Sequence, residues 1–204
     1  MQNIQFSENE TTILGDNGSG KTTLARLLVY LDHDLKKIYS SDTLGQNHDL
    51  DVKTVGDRTL INEWRHLVLL DENALEFDLR GFRESLTNKL EFVVSNEDYS
   101  EMVREIFRRL LKFKPWKFEA HEILSPYGMA AGEKICLHLA HVFSARSALK
   151  LKLPLVFDQV FSFLDPLLFD GVSSFIKAME DQKVYIISEP ENQRLKHSVD
   201  HKLS

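Results

Sequence analysis

Near the start of the chain, a short β-branched and apolar run at residues 11–14 leads into Gly15-Asp16-Asn17-Gly18-Ser19-Gly20-Lys21-Thr22. That octet matches G-x-x-x-x-G-K-[ST], and Leu24, Leu27, Leu28 and Leu31 come after it at helical spacing. A buried strand, a glycine-rich turn and a helix succeed one another in the order a phosphate loop needs. The glycines let successive backbone N–H groups turn inward around phosphate oxygens, and the helix N-terminus adds the positive end of its dipole. Lys21 is expected to reach the β- and γ-phosphates and the Thr22 hydroxyl to ligate Mg²⁺, with Thr23 closing the cradle that opens at Gly15. The pattern predicts a site for a nucleoside triphosphate.

At 204 residues the chain is long enough for one α/β domain with its own core, and no repeat or Pro/Gly-rich linker divides it, so 1–204 reads as a single domain. A net charge of −6 argues against a surface that binds nucleic acid as a whole. Cys136 is the single cysteine, which excludes an internal disulfide and a cysteine-based zinc cluster and fits a reducing, cytoplasmic setting. No apolar run is long enough to span a bilayer, and MQNIQFSENE lacks the basic start and apolar stretch of a signal peptide.

Further landmarks narrow the class. Residues 153–157 read as an apolar strand ending in Asp158, and Ser162-Phe163-Leu164-Asp165 comes shortly after. Between these and the phosphate loop lies Gly128-Met129-Ala130-Ala131-Gly132-Glu133-Lys134, which opens a helix rich in apolar residues. The inner octet resembles the G-x-N-G-[SA]-G-K-[ST] form of ABC-type ATPases, a group that includes transporter subunits and the RecF and structural-maintenance-of-chromosomes families. The resemblance implies a mostly parallel three-layer α/β fold and makes Asp158 the Walker B aspartate, holding Mg²⁺ opposite Thr22. It makes 162–165 the D-loop, with Asp165 near a partner's nucleotide. Ala130, Gly132 and Glu133 become a modified signature whose helix N-terminus meets the γ-phosphate of an opposite subunit. The longer interval from Gly132 to Asp158, and Glu133 in place of glutamine, resemble the RecF and chromosome-maintenance side more than transporters.

The chain departs from that pattern where hydrolysis is decided. Gln159 stands where the family has a glutamate that polarises the attacking water, and an amide cannot accept a proton as a carboxylate does. The switch-histidine position after the apolar stretch 184–187 holds Glu189, and the expected glutamine after the strand 67–70 is Asp71 or Glu72. Either hydrolysis is slow and ATP acts mainly as a ligand, or a displaced carboxylate such as Glu189 or Glu72 serves as base. The first reading is preferred.

Residues 72–124 are expected to form a helical arm, with a helix that begins near Ser95 or Asn96 and carries Met102, Val103, Ile106, Phe107, Leu110 and Leu111 on one face. Arg104, Arg108, Arg109, Lys112, Lys114 and Lys117, interleaved with Phe113, Trp116 and Phe118, suit nucleic acid, a solvated face or a partner protein. His138 and His141 share a helix, but no third metal ligand accompanies them. Residues 49–57 read as a polar loop and the C-terminal HSVDHKLS as a short final element. The leading expectation is an ATP-binding subunit that sandwiches Mg·ATP with a second copy or a paralogue and gates an effector protein, in DNA processing or a defence-type system. A membrane-transporter subunit, a small-molecule kinase and a non-hydrolysing ATP sensor are the alternatives.

Overall fold

The structure is a computed structural model and describes residues 10–31, 67, 69–71, 82, 96–111, 128–148, 154–179, 184–188 and 201–203. The chain divides into two compact units. The first takes Met1–Leu70, Leu153–Gln159 and Gln182–Ser204, and the second takes Asp71–Lys152 and Val160–Asp181.

The first unit is built on a parallel sheet. Its strands are β1 (Glu10–Gly15), β2 (Leu69–Leu70), β3 (Leu155–Asp158), β4 (Val184–Ser188) and β5 (His201–Leu203), in the order β2-β3-β4-β1-β5. Every described pairing is parallel. A parallel sheet is covered on both faces, so its strands are apolar throughout rather than alternating. Ile13, Leu14, Leu155, Val156, Phe157 and Ile187 are indeed sealed from solvent. Helix α1 (Lys21–Leu31) leaves the end of β1 and packs against β2, β3 and β4. Of the strand expected over 67–70, the described residues place Leu69–Leu70 in a strand, and Leu67 has helical backbone.

The second unit is helical. Its elements are α2 (Asn96–Leu110), α3 (Ala131–Ala148), a 3₁₀ turn (Val160–Phe163) and α4 (Pro166–Lys177). Helix α2 is amphipathic, with Tyr99, Val103, Phe107 and Leu110 buried, and Glu97 and Asp98 in its first turn complement the helix dipole. The expected arm over 72–124 falls within this unit, which also holds α3 and α4. Helix α3 is buried almost all round, including its polar residues His138, His141, Ser144 and Arg146. Tyr99 of α2 meets His141 twice: its hydroxyl lies 3.2 Å from Nδ1 and donates to the His141 carbonyl at 3.2 Å. His141 is thus a core histidine tied to a neighbouring helix. Burial pulls the Arg146 guanidinium well below its ordinary pKa, to about 10. It remains a cation at neutral pH, in the last turn of α3, where the helix dipole favours positive charge. Among the described residues no helix is long and apolar enough to cross a membrane.

Candidate functional site

The sequence 15–23 folds as a turn that carries the chain from the end of strand β1 into α1. Gly15 closes the strand, Ser19 N–H donates to the Asp16 carbonyl at 3.1 Å, and Leu24 N–H donates to the Gly20 carbonyl at 2.9 Å as α1 begins. Gly18 and Gly20 have φ of 83° and 87°, a left-handed setting that other residues adopt at a cost. A Cβ at either would meet nothing within 4 Å, so backbone conformation rather than crowding demands glycine here. Lys21 is buried, and its Nζ donates to the Gly15 carbonyl at 2.7 Å and the Asp16 carbonyl at 2.8 Å, holding the turn closed on itself. Thr22 and Thr23 are exposed in the first turn of α1, which carries no acidic residue to offset its dipole. The Ser19 hydroxyl oxygen is buried without a hydrogen-bond partner, which in a concave turn of N–H groups suits an incoming anion. Asp16 and Asn17 are exposed on the rim.

Asp158 ends β3 at the same edge of the sheet. It pairs with Ile187 of β4, which pairs in turn with Ile13 of β1, so the carboxylate stands one strand away from the phosphate loop. Two strand spacings put the backbones of Asp158 and Ile13 about 10 Å apart, the span a hydrated divalent cation and a phosphate together would fill. Asp158 is 4% exposed. A buried carboxylate offers oxygen donors of the kind a divalent cation takes. Gln159 comes next in the chain, partly buried, with its N–H bound to the Ile187 carbonyl at 2.8 Å. Its φ of 62° is the one left-handed setting at a non-glycine among the described residues. Glu189 and Glu72 lie outside the described residues.

The second unit gathers the other predicted group. Helix α3 starts at Ala131, with Ala130 and Ala131 exposed at its mouth. Gly132 is buried because the chain crowds it: a Cβ there would lie 2.8 Å from Leu168 Cδ1 and 2.9 Å from the Phe163 carbonyl oxygen. Glu133 reaches back, and its Oε2 accepts the Ala130 N–H at 2.9 Å, the carboxylate half of a capping box. Asp165 is the N-cap of α4: its Oδ1 accepts the Leu168 N–H at 2.9 Å, with Pro166 at the first helical position. Sequence reasoning assigned Glu133 and Asp165 to nucleotide contacts and missed these capping roles, although Asp-Pro ahead of an apolar run is a helix-start signal. Replacing Asp165 by alanine should remove about 1 kcal/mol of stability, lowering Tm by about 2–4 °C. Thermal unfolding of the purified variant checks this.

The basic face of α2 is partly neutralised within the helix. Arg104 pairs with Glu101, and Arg109 pairs with Glu105 at 3.0 Å, both near the surface. Lys112, Lys114 and Lys117 lie outside the described residues. Among the described residues no group of three or more His, Cys, Asp or Glu side chains could hold a metal ion by itself. Thr22 and Asp158 would instead share Mg²⁺ with phosphate and water.

No protein-family model matches the sequence, and no curated protein sequence is recognisably similar to it. Solved structures do match. The head of an Smc protein bound to the C-terminal winged-helix domain of ScpA aligns at 16% identity with a TM-score of 0.56, covering 91% of this chain and 84% of that one. CbiO1 from Clostridium perfringens, part of the ABC transporter complex CbiONQ, aligns at 17% identity and TM-score 0.49, covering 92% and 69%. The ATP-binding subunit of an ABC transporter gives 16% and 0.46, covering 89% and 68%. The likeness to the Smc head, at that identity, is a likeness of fold, and this chain has the P-loop α/β fold of that head.

Proposed function

We propose that this chain is an ABC-type ATPase subunit that binds Mg·ATP, closes around it as a dimer with a second copy or a paralogue, hydrolyses it slowly and thereby gates a partner protein. The observation that carries the reading is the sheet edge where the phosphate loop, with Lys21 inside it, stands one strand from the buried Asp158. In this reading residues 1–204 work as one ATPase domain in which the second unit contains the helical arm. Gly15 to Thr23 cradle the phosphates, and Lys21 exchanges its loop carbonyls for β- and γ-phosphate oxygens. Thr22 and Asp158 hold Mg²⁺, which supplies charge neutralisation at the phosphates. Gln159 orients water without accepting its proton. The mouth of α3 at Ala130 to Glu133, and the D-loop ending in Asp165, face the nucleotide of the opposite subunit. The Smc head was solved with a protein partner, ScpA, and the effector gated here is proposed to act in DNA processing or a defence-type system.

Calorimetric titration of Mg·ATP into wild type and Lys21→Ala tests the nucleotide site, and light scattering with and without Mg·ATP tests the dimer. Lost charge-assisted hydrogen bonds contribute about 1.5–3 kcal/mol, so the variant should bind about 10- to 10²-fold more weakly. Equal affinity for both proteins would remove the phosphate loop from the mechanism. A protein that stays monomeric with saturating nucleotide would remove the sandwich.

A further inference from the structure

We propose that Asn17 is a site of spontaneous deamidation, that its conversion ends phosphate binding by the loop, and that bound nucleotide protects against it. Asn17 is the one asparagine of the chain followed by glycine. The reaction needs a side-chain amide, a backbone nitrogen free to approach it, and no Cβ on the following residue to obstruct the approach. Asn17 and Gly18 are both exposed in the turn. The backbone hydrogen bonds described for this turn start from Ser19 and Leu24, and neither uses the Gly18 N–H. The place a Cβ would take on Gly18 has no atom beyond its chain neighbours within 4 Å, so nothing packs over the pair from that side.

The step balances with water alone. The Gly18 nitrogen gives up its proton to base and attacks Cγ of Asn17. The new N–Cγ bond closes a five-membered succinimide, the Cγ–Nδ2 bond breaks, and the amide leaves as ammonia. Water then opens the ring at either carbonyl. One opening gives aspartate; the other gives isoaspartate, whose backbone runs through the side chain and is one methylene longer. Nothing is oxidised or reduced. Asp170-Gly171 could form the same ring by losing water, and it supplies an internal contrast. Gly171 lies inside α4, where its N–H belongs to the helix ladder, and the Leu110 backbone crowds it. The fold, and not the dipeptide alone, selects position 17.

The loss of binding rests on the nucleotide reading above; the conversion itself does not. Either product sets a new carboxylate beside Asp16, in a loop whose N–H groups are to meet phosphate, and like charges there oppose the incoming anion. Isoaspartate also lengthens the backbone between Asp16 and Gly18, which shifts those N–H groups. Phosphate seated in the loop engages them, and the Gly18 nitrogen then has no access to the Asn17 amide.

The test incubates the folded chain at mildly alkaline pH, with and without Mg·ATP. Peptide mass spectrometry reads the fraction converted, and calorimetric titration reads the fraction that binds Mg·ATP. Without nucleotide, residue 17 should convert while residue 170 yields no isoaspartate, and the binding fraction should fall one for one with conversion. With Mg·ATP at about 100 times its Kd, about 1% of sites are free, so conversion should slow by about 100-fold. Asn17→Asp, which is one product made directly, should bind Mg·ATP at least about tenfold more weakly than wild type. Asn17→Gln should keep through the incubation whatever affinity it starts with. Folded wild type that does not convert would overturn the proposal. So would converted protein that binds as before, or conversion that saturating nucleotide leaves unchanged. If fresh wild type binds no Mg·ATP, the nucleotide reading fails and the loss of binding with it, while the mass measurement still decides the modification.

Discussion

Gln159→Glu is expected to raise steady-state ATP turnover about 10²–10⁴-fold, the usual contribution of a general base. Wild type should turn over more slowly than about 1 s⁻¹, below the ordinary enzyme range. The reason is chemical, because the two side chains have the same length and the same backbone fastening. Gln159 succeeds the buried Asp158 at the end of β3, with its N–H on the Ile187 carbonyl. A carboxylate in that place can take the proton of the attacking water, and the amide can only orient it. Phosphate release measured for both proteins under saturating Mg·ATP decides the matter. Fast wild-type turnover, or a glutamate variant no faster than wild type, would move the base to another carboxylate, Glu189 or Glu72 being the sequence candidates. Where ATP joins two copies, as proposed above, the glutamate variant should also dissociate its ATP-bound dimer sooner, since hydrolysis removes that ligand.

Gly171→Ala is expected to destabilise the second unit by about 3 kcal/mol, at the upper end of overpacking costs. Helix α4 crosses the end of α2 at this glycine, so closely that an added Cβ would lie 2.0 Å from the Leu110 carbonyl oxygen and 3.0 Å from its carbon. Both obstacles are backbone, and no side chain can swing aside. Either the two helices separate at this crossing, or the crossing is lost. For a chain of this size that corresponds to a fall in Tm of roughly 6–12 °C, checked by thermal and urea unfolding. Gly132→Ala should cost less. One of its two close contacts is Leu168 Cδ1, the tip of a flexible side chain, although the Phe163 carbonyl oxygen at 2.9 Å still resists. A Gly171→Ala protein as stable as wild type would mean that α2 and α4 do not cross this tightly.

Local features could be read without the fold. The phosphate loop is a contiguous segment whose glycines answer a backbone demand, and Gly18 and Gly20 do take left-handed settings. The apolar strand before Asp158, the helix opening after Ala130 and the amphipathic face of α2 are likewise patterns within short windows, and each is found where its residues are. Strand boundaries were less legible: within the apolar run 67–70, Leu67 has helical backbone while Leu69 and Leu70 pair with β3, because hydrogen bonding and not apolarity alone sets where a strand runs. The placement of Asp158 beside the loop depended on the order β2-β3-β4-β1-β5, which brings together segments far apart in sequence. The apolar residues of α3 already read as a largely buried helix, but that His138, His141, Ser144 and Arg146 are buried with them was decided by its neighbours. Gly132 and Gly171 carry no local signal separating a flexible turn from a close crossing, since the colliding atom belongs to another element. The left-handed backbone of Gln159 has the same origin. Nothing in glutamine prefers it, so the hydrogen bond to Ile187 on one side and the buried turn on the other impose it from outside the residue.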